Sequence, residues 1–498
     1  MTDNRNATRV LVMGGGPGGY AAAFKAADLG LDVTLVDLDV NPGGTCLYRG
    51  CIPSKALLHV AQIFREAQDA AHWGISFDTP KVDLDRVRAA TQEVVGKMTG
   101  GLGQLSKART IQYVQGRASF LESTQVRVHD SAGNAKDIEY DYCILATGSR
   151  PATIPHLMIE SDRVMNSTDA LELPDVPESM LVIGGGYIGL ELTTVYAALG
   201  SKVTVVDILP HILAGADRDL VKPLENRMND ITEAIHLETH VERLEEAEDG
   251  IDVYMSGPEI AEKPQRFSKV LMSVGRTPNS TGIGLENTDV KVDAKGFVEA
   301  DDQLRTADPH ILAIGDLIGQ PMLAHKATRE GIVAAEVVAG QKAVFDAQCI
   351  PAVVFTDPEV AWVGLTESEA KDRGLSITVG KFSWAASGRA TTFHRNDGLT
   401  KVIVDAETDL VLGVGIVGHG AGELIAEAAF AIEMGATATD LALTIHPHPT
   451  LSESLMESAE LVHGSSTHLF RPKRKKKPKT AEPVKNVSPA EKRGLRSW

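Results

Sequence analysis

A glycine-rich pattern occurs twice in this chain of 498 residues, each time between two apolar stretches. The first occurrence reads RVLVMGGGPGGYAAAFKAADLGLDVTLVD and ends on Asp37. The pattern predicts a strand, a tight turn, an alanine-rich helix and a second parallel strand. Gly14 would permit the turn, Gly16 the approach of a pyrophosphate, and Gly19 the packing of helix against strand. A carboxylate at Asp37 would accept hydrogen bonds from both hydroxyls of a ribose.

The second occurrence reads MLVIGGGYIGLELTTVYAALGSKVTVVD, and its three glycines are Gly184, Gly186 and Gly189. Asp37 follows Gly14 by 23 residues, and Asp207 follows Gly184 by the same 23. A single motif of this kind is weak evidence, because glycine-rich turns are common. Two occurrences at one offset, each bounded by strand-like runs, predict two dinucleotide sites.

The residues after the second motif favour one form of nicotinamide cofactor. A carboxylate at Asp207 accepts a free 2′-hydroxyl and repels a 2′-phosphate, whereas sites for the phosphorylated cofactor usually place an arginine nearby. Residues 208–213, ILPHIL, contain neither Arg nor Lys. The second site is therefore predicted to bind NAD rather than NADP.

The segment GGTCLYRGCIPSK, residues 43–55, holds two of the chain's four cysteines, Cys46 and Cys51. Positions five apart in a regular helix have Cα atoms about 8.6 Å apart, which exceeds the limit of roughly 7 Å for a disulfide. The thiols are therefore unpaired, or the backbone bends there, for which the flanking glycines supply the freedom. If Pro53 lies in the first turn of a helix, Cys51 lies at the helix entrance, where a thiolate has a lowered pKa. Two reduced packing cysteines are the alternative.

The net charge of −18 is unevenly distributed. Residues 471–498 contain 11 Lys or Arg and 2 acidic residues, so this tail carries +9 and the rest of the chain −27. The tail has no hydrophobic period and several prolines, which predicts disorder. The acidic body argues against nucleic acid as the main partner, although the tail could hold an anionic surface weakly.

Several negative features set expectations about location. No apolar run approaches the roughly 18 residues of a membrane span, and MTDNRNATR lacks the apolar stretch of a secretory signal. We therefore expect a cytoplasmic protein without a membrane partner, in a reducing compartment where a disulfide is more often catalytic than structural. Cys143 and Cys349 stand alone in apolar sequence and are predicted to be packing residues.

Three further motifs, in the right order, carry a resemblance to a known family. The stretch GGTCLYRGCIPSK resembles the redox-disulfide motif of the flavin-dependent pyridine nucleotide–disulfide oxidoreductases, RTADPHILAIGD their second flavin contact, and HPHPTLSE their C-terminal catalytic motif. PMLAHKATREG and VVFTDPEVAWVG are similar to the branch that acts on lipoamide. The resemblance runs from about residue 8 to about residue 466. It implies FAD at the first site and NAD at the second.

The resemblance also implies catalytic roles. Cys46 would exchange with the substrate, and Cys51 would lie against the flavin as a thiolate. Because a free thiol is only a few per cent ionised at neutral pH, exchange needs a base. His448 would take the proton, and Glu453 would orient the imidazole, in a homodimer where this pair reaches the disulfide of the other subunit. The neighbouring His446 could suggest a metal site, but no supporting cluster is visible and none is predicted.

Five residues are assigned to the cofactors by the resemblance. Asp316 would hold the ribityl hydroxyls of the flavin, Lys55 would place a cation beside it, and Glu191 would pair with Lys55. Tyr187 resembles an aromatic lid where nicotinamide enters, and Arg276 in GRTPN resembles a residue of the nucleotide side. Surface or packing positions are the alternative for the first four of them, and the role of Arg276 is left open.

The expected fold class is α/β, with two Rossmann-like domains for FAD and NAD and a C-terminal α+β dimerisation domain. The predicted FAD domain covers 8–152 and 282–349, and the NAD domain covers 153–281. The interface domain, with an antiparallel sheet and helices, covers 350–466, followed by the disordered tail 467–498. In addition, LDRVRAATQEVVGKMTGGLGQL is predicted to form one long helix interrupted by glycines.

The resemblance implies an enzyme that oxidises protein-bound dihydrolipoamide and reduces NAD+ through FAD and the cysteine pair. Its partners would be a second copy of the chain and the lipoyl domains of a 2-oxo acid dehydrogenase or glycine cleavage assembly. A related NAD(P)H-dependent reductase of another small disulfide is the alternative. A glutathione-type enzyme would normally bind NADPH, and a mercuric reductase would need a C-terminal cysteine pair, yet no Cys follows Cys349. A docking subunit of a larger assembly and a flavoprotein that only senses NADH are the remaining hypotheses.

Overall fold

The computed structural model describes residues 8–78, 80–258 and 260–469. These residues form two compact units. The first runs to Ile208 and resumes over Glu233–Asp346, and the second combines Leu209–Thr232 with the residues from Ala347 onward. Most of the predicted tail lies outside the described residues. Among those that are described, every helix is too short or too polar to cross a bilayer.

The chain forms twenty-three strands in its described part. In the first unit they are β1 Arg9–Met13, β2 Asp32–Asp37, β3 Gln112–Gln115, β4 Arg117–Glu122, β5 Gln125–His129, β6 Ala135–Glu139, β7 Tyr142–Leu145, β8 Ser149–Pro151, β9 Val164–Asn166, β10 Ser179–Ile183, β11 Lys202–Val206, β12 Ala234–His236, β13 His240–Ala247, β14 Gly250–Ser256, β15 Gln265–Phe267, β16 Lys269–Met272, β17 Arg276–Pro278 and β18 Ile311–Ala313. In the second unit they are β19 Ala352–Val354, β20 Glu359–Gly364, β21 Ile377–Ser383, β22 Leu399–Asp405 and β23 Val411–Gly418.

Thirteen α-helices connect these strands within the described residues. They are α1 Pro17–Asp28, α2 Gly44–Arg49, α3 Cys51–Asp69, α4 Leu84–Ala108, α5 Ser167–Leu171, α6 Tyr187–Leu199, α7 Arg218–Ile231, α8 Ala324–Val338, α9 Glu367–Asp372, α10 Gly388–Thr392, α11 Ala421–Glu433, α12 Ala438–Leu443 and α13 Glu453–Val462. Short 3-10 turns cover Ala70–Trp73, Pro155–Leu157, Leu285–Asn287, Gly315–Leu317 and Trp384–Ala386.

The first sheet is parallel and has the strand order β18-β7-β1-β2-β3. Its central strand β1 has an almost continuous apolar sequence, as expected for a parallel strand with both faces covered. Helix α1 packs closely on α8, because a side chain at Gly331 of α8 would collide with the carbonyl oxygen of Gly18 in α1. The glycine loop between β1 and α1 therefore lies at the carboxyl edge of this sheet, beside α8.

The second sheet repeats the arrangement, with the order β12-β11-β10-β16-β9 and parallel pairing throughout. The pairing of β10 with β11 starts at Ser179 and Lys202, as that of β1 with β2 starts at Arg9 and Asp32. The two parallel sheets confirm the predicted α/β class. Smaller antiparallel sheets, β4-β5-β6 and β13-β14-β15, and the pair β17-β8 complete the first unit.

One prediction about a helix needs correction. The long helix α4 is continuous over its 25 residues, rather than interrupted by glycines. The side chain of Asp83, the residue before α4, caps the first turn by accepting a hydrogen bond from the Arg86 amide at 3.0 Å. Gly103 is buried against Asn41, so close packing accounts for one of the glycines.

The second unit contains an antiparallel sheet of order β19-β20-β23-β22-β21. The predicted strands LTKVIVD and LVLGVGIVG contain all of β22 and β23, and GELIAEAAFAIEMGA forms most of α11. Helices α11 and α13 pack on the sheet and enclose a core around Trp384 and Phe382. The expected antiparallel sheet with helices is therefore present.

A buried charge cluster, here called the Lys401 cluster, lies within the second unit. The side chain of Lys401 is 1% exposed, and its Nζ lies 2.5 Å from Asp217, 2.7 Å from Asp219 and 2.9 Å from Glu367. Three carboxylates so close together have the spacing of a cation site, and the cation among them is the Lys401 ammonium. The two aspartates flank the start of α7, so this cluster holds the segment Leu209–Thr232 to the unit.

Candidate active site

The first glycine loop has the backbone geometry that its motif predicts. Gly14 has a φ of +110°, and a side chain there would collide with the carbonyl oxygen of Ala146. A side chain at Gly19 would collide with Gly14 itself, so α1 can start this close to β1 only with glycine at that position. Gly16 caps α1, and the space beside its Cα is open. The N-terminus of α1 is thus accessible to a ligand with phosphate groups.

The second loop reproduces this geometry. Gly184 has a φ of +107°, and a side chain there would lie 2.5 Å from the carbonyl oxygen of Ser273. Gly189 packs against Gly184 as Gly19 packs against Gly14, and Gly186 caps α6 beside open space. The same local structure therefore occurs twice, as the equal spacing in the sequence predicts.

The two motif carboxylates have a structural contact that the sequence did not indicate. Asp37 Oδ2 accepts a hydrogen bond from the Gly15 amide, and Asp207 Oδ2 accepts one from the Gly185 amide at 2.7 Å. Burial raises the pKa of the Asp37 carboxyl, and hydrogen bonds from Asp39 and Gly15 oppose this shift. Each aspartate thus fixes its own glycine loop. Carboxylate oxygens have further lone pairs with which they can accept ribose hydroxyls.

The cysteine pair lies where two helices meet. Cys46 is in α2, Cys51 is the first residue of α3, and Gly50 between them has φ −145° and ψ −111°, which breaks the helix. The predicted bend and helix entrance are therefore present. Gly44 at the start of α2 has a φ of +56°, and a side chain there would lie 2.5 Å from Gly16 Cα. The cysteine segment thus packs directly against the first glycine loop.

The two cysteines are free thiols that interact with each other. A hydrogen bond from the Cys46 thiol lowers the pKa of Cys51 to about 7, with help from the Lys55 ammonium and against the effect of desolvation. The same hydrogen bond, together with burial, raises the pKa of Cys46. This reduced pair therefore favours a thiolate on Cys51.

Lys55 and Glu191 form the predicted pair. Lys55 Nζ lies 3.0 Å from Glu191 Oε1 and 2.8 Å from Oε2. The Ser54 hydroxyl also donates to Glu191 Oε2, at 2.9 Å, and this contact was missed from the sequence. The position of Ser54 beside Lys55 in the cysteine motif is a signal that could have indicated it. Together these bonds hold an ionised carboxylate in a buried position.

Asp316 lies in the 3-10 turn Gly315–Leu317. Its carboxylate accepts a hydrogen bond from the Ser149 hydroxyl, and Arg276 Nε lies 3.8 Å from Oδ2. Arg276 in turn donates to the Ser149 hydroxyl and carbonyl oxygens at 2.7 Å. Ser149 is a further residue that the motifs did not indicate. Tyr187, the first residue of α6, lines the same cleft, and its side chain is partly exposed.

One cleft in the first unit gathers most of these residues. It encloses about 1360 Å³ of space, part of it open to solvent. Its lining includes the first glycine loop, both cysteines and the side chains of Asp37, Lys55, Tyr187, Glu191, Arg276 and Asp316. The cleft thus combines the N-terminus of α1 with the carboxylates of Asp37 and Asp316. These groups can bind the phosphates and the sugar hydroxyls of a dinucleotide.

The His448 pair lies in the second unit. His448 Nδ1 is 2.9 Å from Glu453 Oε1, and the Thr450 amide donates to Glu453 Oε2 at 2.8 Å. Burial opposes ionisation of Glu453, but the hydrogen bonds from Thr450 and His448 lower the pKa of this carboxyl. The imidazole of His448 is 70% exposed, so its second nitrogen is accessible. His446, by contrast, is buried and bonded to Glu427 at 2.8 Å and to the Thr444 carbonyl at 2.8 Å.

Comparison with known proteins agrees with this geometry. The family model "Pyridine nucleotide-disulphide oxidoreductase" matches residues 8–331, and the dimerisation domain of that family matches residues 350–459. The chain belongs to the pyridine nucleotide-disulphide oxidoreductase family. This confirms the resemblance inferred from the motifs and the presence of a C-terminal dimerisation domain.

Relatives within the pyridine nucleotide-disulphide oxidoreductases are close over nearly the whole chain. The chain is 48% identical over 474 residues to the dihydrolipoyl dehydrogenase of Haemophilus influenzae, covering 94% of this chain and 98% of that protein. It is 47% identical over 469 residues to the dihydrolipoyl dehydrogenase of Vibrio cholerae, with the same coverage.

Solved structures of the family have the same fold. LpdA from Mycobacterium tuberculosis matches with a TM-score of 0.85 and 27% identity, over 91% of this chain and 99% of that one. The flavoprotein disulfide reductase RclA from Escherichia coli, which is induced by HOCl, matches with a TM-score of 0.81 and 27% identity, over 91% and 100%. Members of this family use FAD and a nicotinamide nucleotide, and the residues of the cleft fit a dinucleotide of that kind.

Proposed function

We propose that this chain oxidises dihydrolipoamide to lipoamide and reduces NAD+, with FAD in the cleft of the first unit. The observation that carries the proposal is the cysteine pair, in which Cys51 begins α3, lies open to the cleft and has a lowered pKa. The 48% identity to a dihydrolipoyl dehydrogenase supports lipoamide as the substrate. The overall reaction consumes dihydrolipoamide and NAD+ and yields lipoamide, NADH and one proton.

The cysteines perform the thiol–disulfide exchange. In the oxidised enzyme they form a disulfide, and a thiolate of dihydrolipoamide attacks Cys46 Sγ, which releases Cys51 as a thiolate. The second substrate thiol then attacks the substrate sulfur of the mixed disulfide, closing lipoamide and releasing Cys46. When bound in the cleft, FAD would supply the redox chemistry that carries the electron pair of the dithiol to NAD+. Lys55 stabilises the negative charge on Cys51, and Glu191 holds Lys55 in place.

His448 supplies the base for this exchange. It removes the proton of the substrate thiol, while Glu453 fixes the tautomer and stabilises the imidazolium. We propose a homodimer in which His448 of the partner subunit approaches the disulfide. Support comes from the dimerisation domain and from Leu443 and Ile445, whose apolar side chains are exposed just before the HPHPTLSE motif.

The remaining residues bind the two cofactors. Gly14, Gly16, Gly19 and Asp37 would hold the adenosine and pyrophosphate of FAD, and Asp316 its ribityl hydroxyls. Gly184, Gly186, Gly189 and Asp207 would bind NAD, and Arg276 would lie on the nucleotide side. Asp207 and the absence of Arg or Lys in residues 208–213 favour NAD over NADP.

The physiological substrate would be a lipoyl domain of a 2-oxo acid dehydrogenase or glycine cleavage assembly. The acidic body and basic tail are candidate docking regions for such an assembly. A cytoplasmic location remains part of this proposal.

A substrate panel tests the proposed function. The purified protein is expected to be yellow and to reduce NAD+ with dihydrolipoamide much faster than it reduces NADP+. The same preparation is assayed in reverse with oxidised glutathione and with NADH or NADPH. Faster turnover of glutathione than of lipoamide would favour the second candidate, another disulfide reductase, which the likeness to RclA supports. A colourless protein that takes up no FAD would exclude both.

A further inference from the structure

Glu330 is a buried carboxylate outside the residues that the motifs assign. It lies on α8, its side chain is 2% exposed, and Lys326 Nζ one turn earlier is 2.7 Å from its Oε1. The desolvation of a buried ion pair can cost more than the attraction returns, and apolar residues of similar volume often stabilise a protein as well or better. The stability of α8 alone therefore does not explain why this ion pair is buried.

The second oxygen of Glu330 indicates another role for the pair. Glu330 Oε2 accepts a hydrogen bond of 2.7 Å from the Gly315 amide. Gly315 has a φ of +77° and starts the turn that presents Asp316 to the cleft. Because the acceptor is ionised, this bond is stronger than one between neutral groups. Glu330 thus binds the backbone of the turn at the residue directly before Asp316, the carboxylate of the proposed flavin site.

The turn is also held at its end, where the Leu317 carbonyl oxygen accepts a hydrogen bond of 2.9 Å from the Val298 amide. A side chain on Gly315 would approach Ala327 Cβ to 3.2 Å, so the turn packs closely on the first turns of α8. Ala324 and Ala327 of α8 line the cleft themselves. Ser149 fixes the Asp316 carboxylate from its side, while Glu330 fixes the backbone before it.

The charged groups around Glu330 act on its ionisation. Burial raises the pKa of Glu330, the Lys326 ammonium and the Gly315 amide lower it, and the charge of Asp316 raises it further. The Lys326 charge balances that of Glu330 close to a second carboxylate. Without this balance, the negative charges of Glu330 and Asp316 would repel each other near the cleft.

We propose that Glu330 is a positioning residue for the flavin site, which acts by holding the Gly315 amide so that Asp316 stays in place to bind the cofactor. The inference rests on the proposed function, because it assumes that FAD occupies the cleft. Two double variants separate this role from simple packing. Lys326→Met/Glu330→Gln removes both charges but keeps an oxygen acceptor for Gly315, and Lys326→Met/Glu330→Leu removes the acceptor as well.

Two quantities are measured for each variant. One is the dissociation constant of the apoprotein for FAD, measured by flavin fluorescence, and the other is the thermal midpoint of the apoprotein. We expect the glutamine variant to bind FAD within about threefold of the parent and the leucine variant at least about tenfold more weakly, since a buried amide loses its acceptor. The apoprotein midpoint of the leucine variant should lie only slightly below that of the glutamine variant, by the loss of one buried hydrogen bond. The matched control is Glu336→Gln, also on α8, which pairs with Lys25 at 3.0 Å and should leave FAD binding unchanged.

A double-mutant comparison tests the route through Asp316. Asp316→Ala should weaken FAD binding strongly in the parent and much less in the leucine background, because Asp316 is already displaced there. Additive losses, or equal FAD affinity of the glutamine and leucine variants, would overturn the inference. If the leucine variant does not fold, Lys326→Met/Glu330→Met gives the same comparison with a more adaptable side chain. If the parent binds no FAD, the proposed function itself is overturned. If the parent binds FAD and the variants bind it equally well, only this inference is overturned.

Discussion

Lys55 and Glu191 form an ion pair, 2.8 Å between Nζ and Oε2, that joins the helix starting at Cys51 to the helix starting after the second glycine loop. A residue of the cysteine segment and a residue of the second glycine-rich motif thus meet within the first unit. The ammonium of Lys55 contributes to the lowered pKa of Cys51, and Glu191 partly offsets this effect. The pair therefore links the chemistry of the thiolate to the structure around both proposed nucleotide sites.

Replacing Lys55 should make Cys51 a weaker thiolate. In the reduced parent, alkylation of Cys51 by iodoacetamide should rise with a midpoint near pH 7, because the hydrogen bond from Cys46 and the Lys55 charge lower the pKa of this thiol to about 7. In Lys55→Met the favourable charge is lost, so the midpoint should move up towards the ordinary thiol value of about 8.5. Peptide mass spectrometry measures the modified fraction at each pH. An unchanged midpoint would show that Lys55 does not act on Cys51; Lys25→Met serves as the control.

Loss of either sulfur of the pair should end the reaction. Cys46→Ser is expected to abolish dihydrolipoamide turnover while the protein keeps its FAD, since exchange has no acceptor sulfur. Cys349→Ser, which changes a thiol outside the cleft lining, should keep the activity of the parent. The assay is NADH formation at saturating dihydrolipoamide. Full activity of Cys46→Ser would remove the proposed mechanism.

His448→Gln should lower kcat by about 10²–10⁴, the usual contribution of a positioned acid–base group. The matched control is His463→Gln, which alters another histidine beside a carboxylate, 3.7 Å from Asp409 in the same unit. Both variants should retain the thermal midpoint of the parent, because the side chains of His448 and His463 are 70% and 42% exposed. Comparable losses of kcat in the two variants would point to a general effect on folding instead of a base at His448.

Asp37 and Asp207 allow a reciprocal test of the cofactor assignment. Asp207→Ala should raise KM for NAD+ roughly tenfold or more while leaving the flavin content intact, because a charged hydrogen-bond acceptor is removed. Asp37→Ala should instead weaken FAD binding. Flavin content and KM for NAD+ are measured on both variants. Since each carboxylate also holds its glycine loop, the two variants control for each other. Identical effects of both changes on both cofactors would refute the assignment.

The parts of the site that the sequence predicts are those determined by local backbone geometry. Gly14 and Gly184 signal their turns directly, because a left-handed φ and a close neighbour exclude other residues. The helix entrance at Cys51 follows in the same way from nearby glycines and Pro53.

Contacts between distant segments were predictable only where the family motifs supplied them. The Lys55–Glu191 pair came from the resemblance, whereas Ser54 and Ser149 were missed because their partners lie 137 and 167 residues away. The assignment of Leu209–Thr232 to the second unit was missed for a similar reason. Nothing in the sequence near Asp219 indicates its contact with Lys401, which lies 182 residues further along the chain.

Lys401→Met should destabilise the protein strongly. It leaves the carboxylates of Asp217, Asp219 and Glu367 without the buried ammonium that lies among them, and breaking such a pair typically costs about 3–5 kcal/mol. Urea unfolding at fixed protein concentration measures the loss. Lys381→Met provides the control, because Lys381 contacts two of these carboxylates but is about one-third exposed. Its loss should be no more than about 1 kcal/mol.

The dependence of this loss on pH distinguishes electrostatics from packing. Burial opposes ionisation of Asp219, but hydrogen bonds from Lys381 and Lys401 lower the pKa of this carboxyl below its ordinary value. Such a group stabilises the folded state above its unfolded pKa, near 3.8, and this contribution is lost as the pH falls through the folded value. In Lys401→Met the carboxylates can bind protons instead of remaining charged. The difference in unfolding free energy between parent and variant should therefore be largest at pH 7–8 and shrink towards pH 4. A difference independent of pH would mean that the aliphatic stem of Lys401, rather than its charge, holds α7 in place.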